Sequence, residues 1–404
     1  MVRLLIAVVL LILLGIFYKT YKDSVFGKKD LNTNQHDGLV DEPCVQAKNM
    51  DATLPWDLGK NTCAINPRTY QLKEKNGHHP PLEIFAVAQP ETVGTVQLNK
   101  GIALLELGNN IKKTKITLQP LTDQDGDAGG IPAQIYFPHA TPKSEIINLV
   151  GKRSLFTAFL EEKKVEKQMI TGDLNKIIRF VHPTNENKTM NYIGVYDYQT
   201  DSLEVGCFDT GNQISLWKTV DKNLVFSVRD ELLFGLNEKG HLFAYNHELK
   251  PVEHPFINTF REIFESPLES YVGLEIHPTL PIAFVITEQN NEQTLWLLSW
   301  QDQEHPWGTP MLTAKEIFDL QVSTDLQWMR FQSYTSVTKL YVVRIKTDSM
   351  DDVLTKENAH LLVQNPIQLE HDGTEIHSFA WISDPSGLVA STREGSLHKW
   401  IFPK

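Results

Sequence analysis

The chain contains 404 residues, of which 41% are hydrophobic and 22% charged, and its formal net charge is −12. This composition is typical of a globular protein and excludes a fully disordered, collagen-like or multi-spanning membrane protein. The acidic balance argues against nucleic acid as a partner, because nonspecific affinity for phosphates rests on clustered Lys and Arg.

The amino terminus carries an unbroken apolar run, Leu4–Tyr18, between Arg3 and Lys19. A run of this length suits the apolar region of a signal peptide, or a short spanning helix whose flanking basic residues reach the interface. No small-residue cleavage site follows the run. The sequence therefore predicts that residues 1–18 are an uncleaved single-pass membrane anchor, and cleavage with secretion is the alternative.

The orientation of this anchor depends on which of two signals dominates. More lysines follow the apolar run than precede it, and this count alone would leave the carboxyl-terminal side in the cytoplasm. The short basic start instead resembles bacterial signal anchors, which export everything behind them. That resemblance implies an inner-membrane protein whose globular part lies in the periplasm, and a cytoplasm-facing protein is the alternative.

Residues 19–82 contain many prolines and glycines and few alternating apolar runs, which predicts a linker or an irregular cap. Trp56 and the two cysteines Cys44 and Cys63 indicate that part of this segment docks on the following domain. If the chain is exported, a disulfide between the two cysteines would close the loop and stabilise it by up to about 3 kcal/mol. Two unrelated reduced thiols are the alternative.

From residue 83 to the end, short apolar runs of period two are bounded by Gly, Pro, Asn and Asp, which predicts an all-β fold. The candidates for helix are short stretches around 257–264 and 350–362. A parallel architecture is disfavoured because it needs a helix of about ten or more residues between successive strands.

Two segments of this region align without gaps, Leu233–Tyr245 and Leu388–Trp400. Both read as a strand, a turn that contains glycine, and a second strand with leucine and an aromatic residue at matching places. Proline turns also recur before strands, at Pro183, Pro278 and Pro385. Such recurrence predicts repeated units of strands.

The segments Gly194–Val205 and Phe379–Trp400 resemble blades of WD40-like and YVTN-type β-propellers. The chain has no Trp-Asp dipeptide, so the buried polar network of true WD40 blades is not carried over. The resemblance implies a single β-propeller over residues 83–404 with about seven four-stranded blades, six to eight being possible. We expect blades to begin near residues 83, 130, 174, 213, 262, 320 and 370. Two stacked β-sandwiches are the alternative.

One loop has the composition of a cation site. Asp123, Asp125 and Asp127 alternate in a glycine-rich stretch, which is how a turn gathers oxygen ligands for Ca²⁺. The match to an EF-hand is poor, because Ala128 and Gln134 stand where Gly and a bidentate Glu are needed. A solvated acidic hairpin is the competing interpretation, and no other cofactor is expected.

Two tryptophans, Trp300 and Trp307, lie in or beside a predicted loop and are candidates for partner binding, since exposed Trp is enriched in binding hot spots. Packing between strands is the first-ranked interpretation for both. No nucleophile elbow, phosphate-binding loop or dinucleotide fingerprint is present in the sequence, so the usual anchors for an enzyme are missing.

These features together favour a membrane-anchored, non-enzymatic propeller that acts as a scaffold or accessory subunit of a bacterial envelope assembly for secretion, export or outer-membrane biogenesis. Its partners would be protein subunits and, through Leu4–Tyr18, the membrane. The alternative is an exported propeller enzyme or ligand-binding protein that holds a metal or small molecule in its central channel.

Overall fold

The computed structural model describes most of the chain after residue 54, in separate ranges. These are residues 55–56, 58, 62–74, 77–78, 83–87, 89–97, 101–116, 134–135, 146–150, 153–159, 164–183, 190–209, 214–222, 224–264, 270–323, 325–334, 336–346, 355–356 and 359–403. The predicted anchor 1–18, Cys44, and the acidic loop with Asp123, Asp125 and Asp127 lie outside the described residues. Among the described residues, none belongs to a helix long and apolar enough to cross a membrane.

The described chain folds almost entirely into antiparallel strands arranged as consecutive sheets, which confirms the all-β prediction. Sheet 1 contains β5 (Glu83–Ala86), β6 (Thr92–Gln97), β7 (Gly101–Leu107) and β8 (Ile111–Ile116). Sheet 2 contains β9 (Gln134–Ile135), β10 (Ile146–Val150), β11 (Ser154–Phe159) and β12 (Lys164–Met169). Sheet 3 contains β13 (Lys176–Pro183), β14 (Met190–Asp197), β15 (Ser202–Asp209) and β16 (Ile214–Val220).

The second half of the chain continues the same pattern. Sheet 4 contains three strands, β17 (Leu224–Arg229), β18 (Leu232–Asn237) and β19 (Leu242–Tyr245). Sheet 5 contains β20 (Ser270–Ile276), β21 (Ile282–Gln289), β22 (Glu292–Ser299) and β23 (Trp307–Ala314). Sheet 6 contains β24 (Glu316–Val322), β25 (Trp328–Tyr334), β26 (Thr338–Arg344) and β27 (Ile367–Leu369). Sheet 7 contains β28 (Ile376–Ile382), β29 (Gly387–Thr392) and β30 (Ser396–Ile401).

Strands from the segment predicted as linker or cap belong to the last two sheets. β1 (Cys63–Ile65) runs parallel to β27, and β2 (Arg68–Gln71) pairs antiparallel with β30. Upstream, Trp56 stacks on Phe331 at 5.8 Å between ring centroids. The sheets therefore begin before residue 83, because this early segment completes sheet 7 and extends sheet 6. A small hairpin follows, formed by β3 (Lys73–Glu74) and β4 (Gly77–His78).

The hydrophobic core lies between neighbouring sheets rather than in one central mass. One cluster joins sheet 5 to sheet 6 through residues such as Phe284 and Phe331, and another joins sheet 6 to sheet 7 through Leu340 and Trp400. A third joins sheet 7 to sheet 1 through Val389 and Val93. Where a sheet is covered on both faces, its inner strands, such as β21 and β29, are buried almost throughout and have nearly continuous apolar sequences.

In the part of the chain that the structure describes, two helices interrupt the strands, and both lie in the stretches predicted as helical. Helix α1 (Pro255–Ile263) follows sheet 4, begins with His254 as N-cap and packs on β19 and β22. His254 Nδ1 accepts a hydrogen bond from the Phe256 amide at 3.1 Å, which satisfies one of the amides left open at a helix start. Helix α2 (Ala359–Leu362) lies between β26 and β27.

The first strands of neighbouring sheets lie side by side: β28 against β5, β17 against β20, and β20 against β24. Strand ends therefore fall on two sides of the molecule. The turns from first to second strand lie on one side, here called the inner-turn face. The turns from second to third strand, and the connections from one sheet to the next, lie on the opposite side, here called the crossover face. Consecutive, mostly four-stranded antiparallel sheets of this kind fit a β-propeller.

Candidate functional site

The structure places the two tryptophans singled out from the sequence in different environments. Trp300 is 5% exposed, and its indole lies 4.8 Å from the Phe256 ring with the Arg229 guanidinium 5.0 Å above it. Trp307 is half-buried at the start of β23, opposite Ser299. Packing is therefore the role that the structure gives to Trp300, because a buried indole offers little surface to a partner.

The structure describes two of the three cysteines, Cys63 and Cys207. Cys63 is disulfide-bonded, whereas Cys207 is a buried thiol on β15. The pairing of Cys63 with Cys44 stays a prediction, because Cys44 lies outside the described residues.

Three large apolar side chains are exposed at one end of sheets 2 and 3, on the crossover face. Met169 at the end of β12 is 52% exposed, Leu174 in the connection to sheet 3 is 79% exposed, and Tyr198 after β14 is 58% exposed. The turns that carry Leu174 and Tyr198 lie together, because the Tyr198 amide donates a hydrogen bond to the Asn175 carbonyl at 2.9 Å. We call these three residues the crossover patch. Polar side chains surround it, including Asp173 and Gln199, both exposed.

The turns that carry this patch are held by side-chain hydrogen bonds to the backbone. The Asn175 amide donates to Asp173 Oδ1 at 2.9 Å, and the Gln199 amide donates to Asp197 Oδ1 at 2.8 Å. Such Asx turns fix the backbone without any help from a sheet. Leu174 and Tyr198 are therefore presented on preorganised turns, which reduces the entropy that a partner would have to remove on binding.

The charge state of Asp197 supports the same turn. Burial raises the pKa of this carboxyl, but the Gln199 and Thr200 amides that donate to it, together with the Lys176 ammonium 4.0 Å away, bring the net pKa below its ordinary value. The carboxylate therefore stays ionised at neutral pH, and it remains an acceptor for both amides. Lys176 also bonds Glu204 at 2.7 Å, which ties β13 to β15.

The inner-turn face is built differently, because its turns are bonded to one another. Arg229, at the end of β17, donates to the carbonyls of His277 at 3.1 Å, Thr279 at 3.3 Å and Leu280, all in the first turn of sheet 5. His277 Nε2 in turn lies 3.0 Å from the Leu326 carbonyl in the first turn of sheet 6.

The same chain of contacts continues into sheets 7 and 1. Ser386 Oγ donates to Asp325 Oδ2 at 2.5 Å, which joins the first turns of sheets 6 and 7. The Lys399 ammonium, 5% exposed as a side chain, bonds Glu91 at 3.0 Å in the first turn of sheet 1. These polar bonds link the first turns of sheets 4, 5, 6 and 7 in succession, and Lys399 on β30 then bonds sheet 7 to the first turn of sheet 1.

A pocket opens on the inner-turn face between sheets 6 and 7. Its volume is about 220 Å³, and its lining includes Gln327, Trp328, Arg344, Asp384, Pro385 and Phe402. The rings of Trp328 and Phe402 pack against each other there, with 4.6 Å between their centroids. Sequence reasoning did not single out this pocket, because its walls come from four separate segments of two sheets.

The first strands carry a further set of charged groups. Glu275 on β20 accepts a hydrogen bond from the Val322 amide at 2.9 Å, and Arg330 binds Asp319 on β24. Burial raises the pKa of Glu275, the Val322 amide and Arg330 lower it, and the net pKa is raised to about 7. Between sheets 7 and 1, His377 Nε2 lies 2.9 Å from Glu83 Oε1.

Metal binding by convergent carboxylates and histidines was one alternative raised by the sequence. Across the described ranges, no three His, Cys, Asp or Glu side chains are grouped as a metal site would need. The acidic loop at Asp123, Asp125 and Asp127 lies outside those ranges, so its role as a cation site stays a prediction.

Comparisons with known proteins assign the chain to no family. No protein-family model matches the chain, and no curated protein matches it. The chain is similar to a solved structure titled "Crystal Structure of Mitotic Checkpoint Complex", with 10% sequence identity and a TM-score of 0.37, over 64% of this chain and 88% of that chain. A similarity this distant assigns no function.

Proposed function

We propose that this protein is a non-enzymatic, seven-bladed β-propeller that binds other proteins through its crossover face. Sheets 1 to 7 would be the blades, and the pairing of β2 with β30 would join the two ends of the chain into one blade. The observation that carries the binding proposal is the crossover patch, in which Leu174 and Tyr198 are exposed on turns held by hydrogen bonds and Met169 is exposed at the end of β12.

The physical case for a protein partner rests on the cost of leaving this patch in water. Burying a side chain such as Met or Leu contributes about 1.5–3 kcal/mol, so covering three of them gives a favourable term large enough to matter in an interface. Contiguous apolar surface with a polar rim is typical of protein contacts, whereas single exposed apolar residues are ordinary. Leu174 and Tyr198 lie on two turns joined by the hydrogen bond from the Tyr198 amide to the Asn175 carbonyl, and their chain neighbours Asp173, Asn175 and Gln199 are exposed polar residues.

We further propose that the partners are subunits of a bacterial envelope assembly. The predicted anchor, Leu4–Tyr18, supports this location because it would hold the propeller next to a membrane complex. The net charge of −12 is in keeping with protein partners, since a binder of nucleic acid needs the opposite balance.

The experiment is purification of the full chain from membranes in mild detergent, followed by mass spectrometry of the proteins that accompany it. We compare the natural chain with Leu174→Asp and Tyr198→Asp, which place a charge in the patch. The matched control is Leu216→Asp, on the edge strand β16, where the leucine is 43% exposed but lies outside the patch.

We expect stoichiometric recovery of specific partner subunits with the natural chain and with the Leu216 control. Both patch variants should reduce recovery by at least tenfold, which corresponds to a loss of about 1.4 kcal/mol of binding energy. Recovery of the natural chain as a lone monomer, or equal recovery from all four proteins, would contradict the proposal.

A further inference from the structure

A stacked arginine and tyrosine adjoin the crossover patch on sheet 3. The guanidinium carbon of Arg179 lies over the Tyr196 ring, 4.9 Å from its centroid. The Tyr196 ring meets the Tyr198 ring edge-on, with 5.1 Å between the centroids and an angle of 89° between the planes. Tyr198 belongs to the crossover patch, so Arg179 and Tyr196 extend that patch through a continuous row of ring contacts.

The exposure of Arg179 follows from an irregularity in strand β13. Ile178 pairs with Val195 and Phe180 pairs with Gly194, so Arg179 is the extra residue of a β-bulge. A bulge redirects a side chain that a regular strand would place elsewhere. Ile178 and Phe180 are both buried, whereas Arg179 between them is exposed. The bulge therefore holds a charged side chain at the surface without disturbing the core beneath it.

Arg179 differs from neighbouring cations in how its charge is balanced. Lys176 bonds Glu204 at 2.7 Å, and Lys222 bonds Asp201. Within the part of the chain that the structure describes, the Arg179 guanidinium has no hydrogen bond or ion pair, and its contact is the aromatic ring beneath it. Stacking occupies one face of the guanidinium and leaves the N–H donors at its edge free.

A free guanidinium edge beside exposed apolar surface matches a carboxylate next to an apolar group. A carboxylate accepts two parallel hydrogen bonds from a guanidinium, and such charged bonds are stronger than neutral ones. The ring under Arg179 is held in place because the Tyr196 hydroxyl donates to Asp201. The guanidinium plane is therefore partly ordered before a partner arrives, which lowers the entropy lost on binding.

The apolar part of the same surface is available beside this cation. Tyr198 is 58% exposed and Leu174 is 79% exposed. Tyrosine and arginine are the residue types that most often dominate the energy of a protein interface, so a surface with both is a reasonable centre for one. A partner that brought a lysine or arginine to Arg179 would instead place like charges together, which costs binding energy.

We propose that the crossover patch recognises a partner segment in which an aspartate or glutamate lies beside an apolar residue. The partner carboxylate pairs with Arg179, and the apolar side chain covers Tyr198 and Leu174. This inference rests on the proposed function, because it names the chemistry of the partner that binds the same surface.

The test begins with selection of a phage-displayed library of random short peptides on the full chain in mild detergent. Phage that bind the Leu174→Asp variant are removed first. Selected peptides are then synthesised, and fluorescence anisotropy measures their affinity for the natural chain, for Arg179→Gln and for Arg179→Lys. The matched control is Arg261→Gln, because Arg261 is an exposed arginine on helix α1, outside the patch. Each peptide is also made with its acidic residue replaced by the corresponding amide.

We expect the selected peptides to carry an acidic residue beside an apolar one more often than the unselected library does. Arg179→Gln should weaken their binding at least tenfold, and the amide peptides should lose a similar factor on the natural chain. The two losses should not add, because both changes remove the same ion pair. Arg179→Lys should restore affinity only in part, since an ammonium group lacks the planar fork, and Arg261→Gln should bind as the natural chain does.

The outcomes separate this inference from the proposed function. Peptides that need Leu174 but lack an acidic residue, or that bind the natural chain and Arg179→Gln equally, would overturn the inference and leave the proposed function intact. Absence of any peptide whose binding needs Leu174 would contradict the crossover patch as a binding surface, and both proposals would then be wrong.

Discussion

The two faces of the molecule use polar side chains in opposite ways. On the inner-turn face, Arg229, His277 and Asp325 bond the turns of one sheet to the turns of the next. On the crossover face, Asp173 and Asp197 accept hydrogen bonds from amides of their own turns, and Asp197 also pairs with Lys176 of the same sheet, while apolar side chains of these turns stay exposed. The bonds of the inner-turn face stabilise the contacts between neighbouring sheets. The turns of the crossover face expose apolar side chains that contribute little to the stability of the fold.

This difference separates the substitutions that should unfold the protein from those that should alter only its binding. Bonds between turns of different sheets are lost together when one member is removed, because one side chain such as Arg229 donates to several carbonyls of the next turn, including that of the buried His277. The exposed apolar side chains on the crossover face lie on turns that are held by hydrogen bonds of other residues, so replacing them leaves those bonds in place. Four substitutions test this separation, beginning with the largest expected effect.

Arg229→Ala should lower the free energy of unfolding by about 4 kcal/mol, because three carbonyls in the first turn of sheet 5 lose a charged donor and Trp300 loses its stacked guanidinium. Urea denaturation monitored by circular dichroism measures this. The control is Arg393→Ala, whose ion pair with Glu375 is mostly exposed and should be worth less than about 0.5 kcal/mol. Equal losses in the free energy of unfolding for the two substitutions would contradict the proposed difference between the two faces.

Asp325→Ala should cost about 2 kcal/mol, since Ser323, Ser386 and the Gln327 amide all lose their acceptor. The double substitution with Ser386→Ala provides a thermodynamic cycle on one contact between sheets 6 and 7. We expect coupling of at least about 0.5 kcal/mol between the two positions in urea denaturation. Strict additivity would mean that this bond does not join the sheets energetically.

Glu275 lies near the inner-turn face, and it should make stability depend on pH. Burial raises its pKa from the ordinary 4.5 to about 7, so the folded state binds the proton more tightly than the unfolded state does. Stability is then full below about pH 4.5, falls as pH rises towards 7, and levels off above it. We expect a loss of about 2 kcal/mol across this window, less than the full shift would give because the side chain keeps partial exposure.

The variant that isolates this effect is Glu275→Gln, whose side-chain carbonyl can still accept from the Val322 amide. It should flatten the fall in stability between pH 4.5 and 7, when denaturation midpoints are compared at each pH. Glu292→Gln, at an exposed position at the start of β22, should leave the fall unchanged. If both variants retain the natural slope, another group is responsible for it.

The repeated strands were predictable from sequence because local residues specify them. Gly240 and Gly395 both adopt φ of +80°, a backbone region that favours glycine, and the leucines two residues later are buried. The first strands of the sheets begin at residues 83, 134, 176, 224, 270, 316 and 376. The largest departure from the predicted starts is at sheet 4, because the predicted start at residue 213 falls at β16, the last strand of sheet 3. Among the described residues, sheet 4 has three strands and is followed by helix α1.

Other features were beyond the sequence for physical reasons. The pairing of β2 with β30 joins residues more than 300 positions apart through backbone hydrogen bonds, which leave little trace in the identity of side chains. The environment of Trp217 is another such feature, because its side chain is 38% exposed on edge strand β16 while its ring covers Gly206 of the neighbouring strand. Leu174 and Tyr198 form one patch only through the meeting of two turns, so neither residue is distinctive alone.

The smallest expected effect on stability belongs to the crossover patch. Leu174→Ser should change the free energy of unfolding by less than about 0.5 kcal/mol, because the leucine is 79% exposed and the Asp173 bond that holds its turn does not involve its side chain. Urea denaturation of this variant beside Leu174→Asp provides the check. If Leu174→Ser instead costs more than about 1 kcal/mol, the leucine stabilises the fold and its exposure cannot be explained by binding alone. A neutral result for folding, together with lost partner recovery for Leu174→Asp, is the combination that a dedicated binding surface requires.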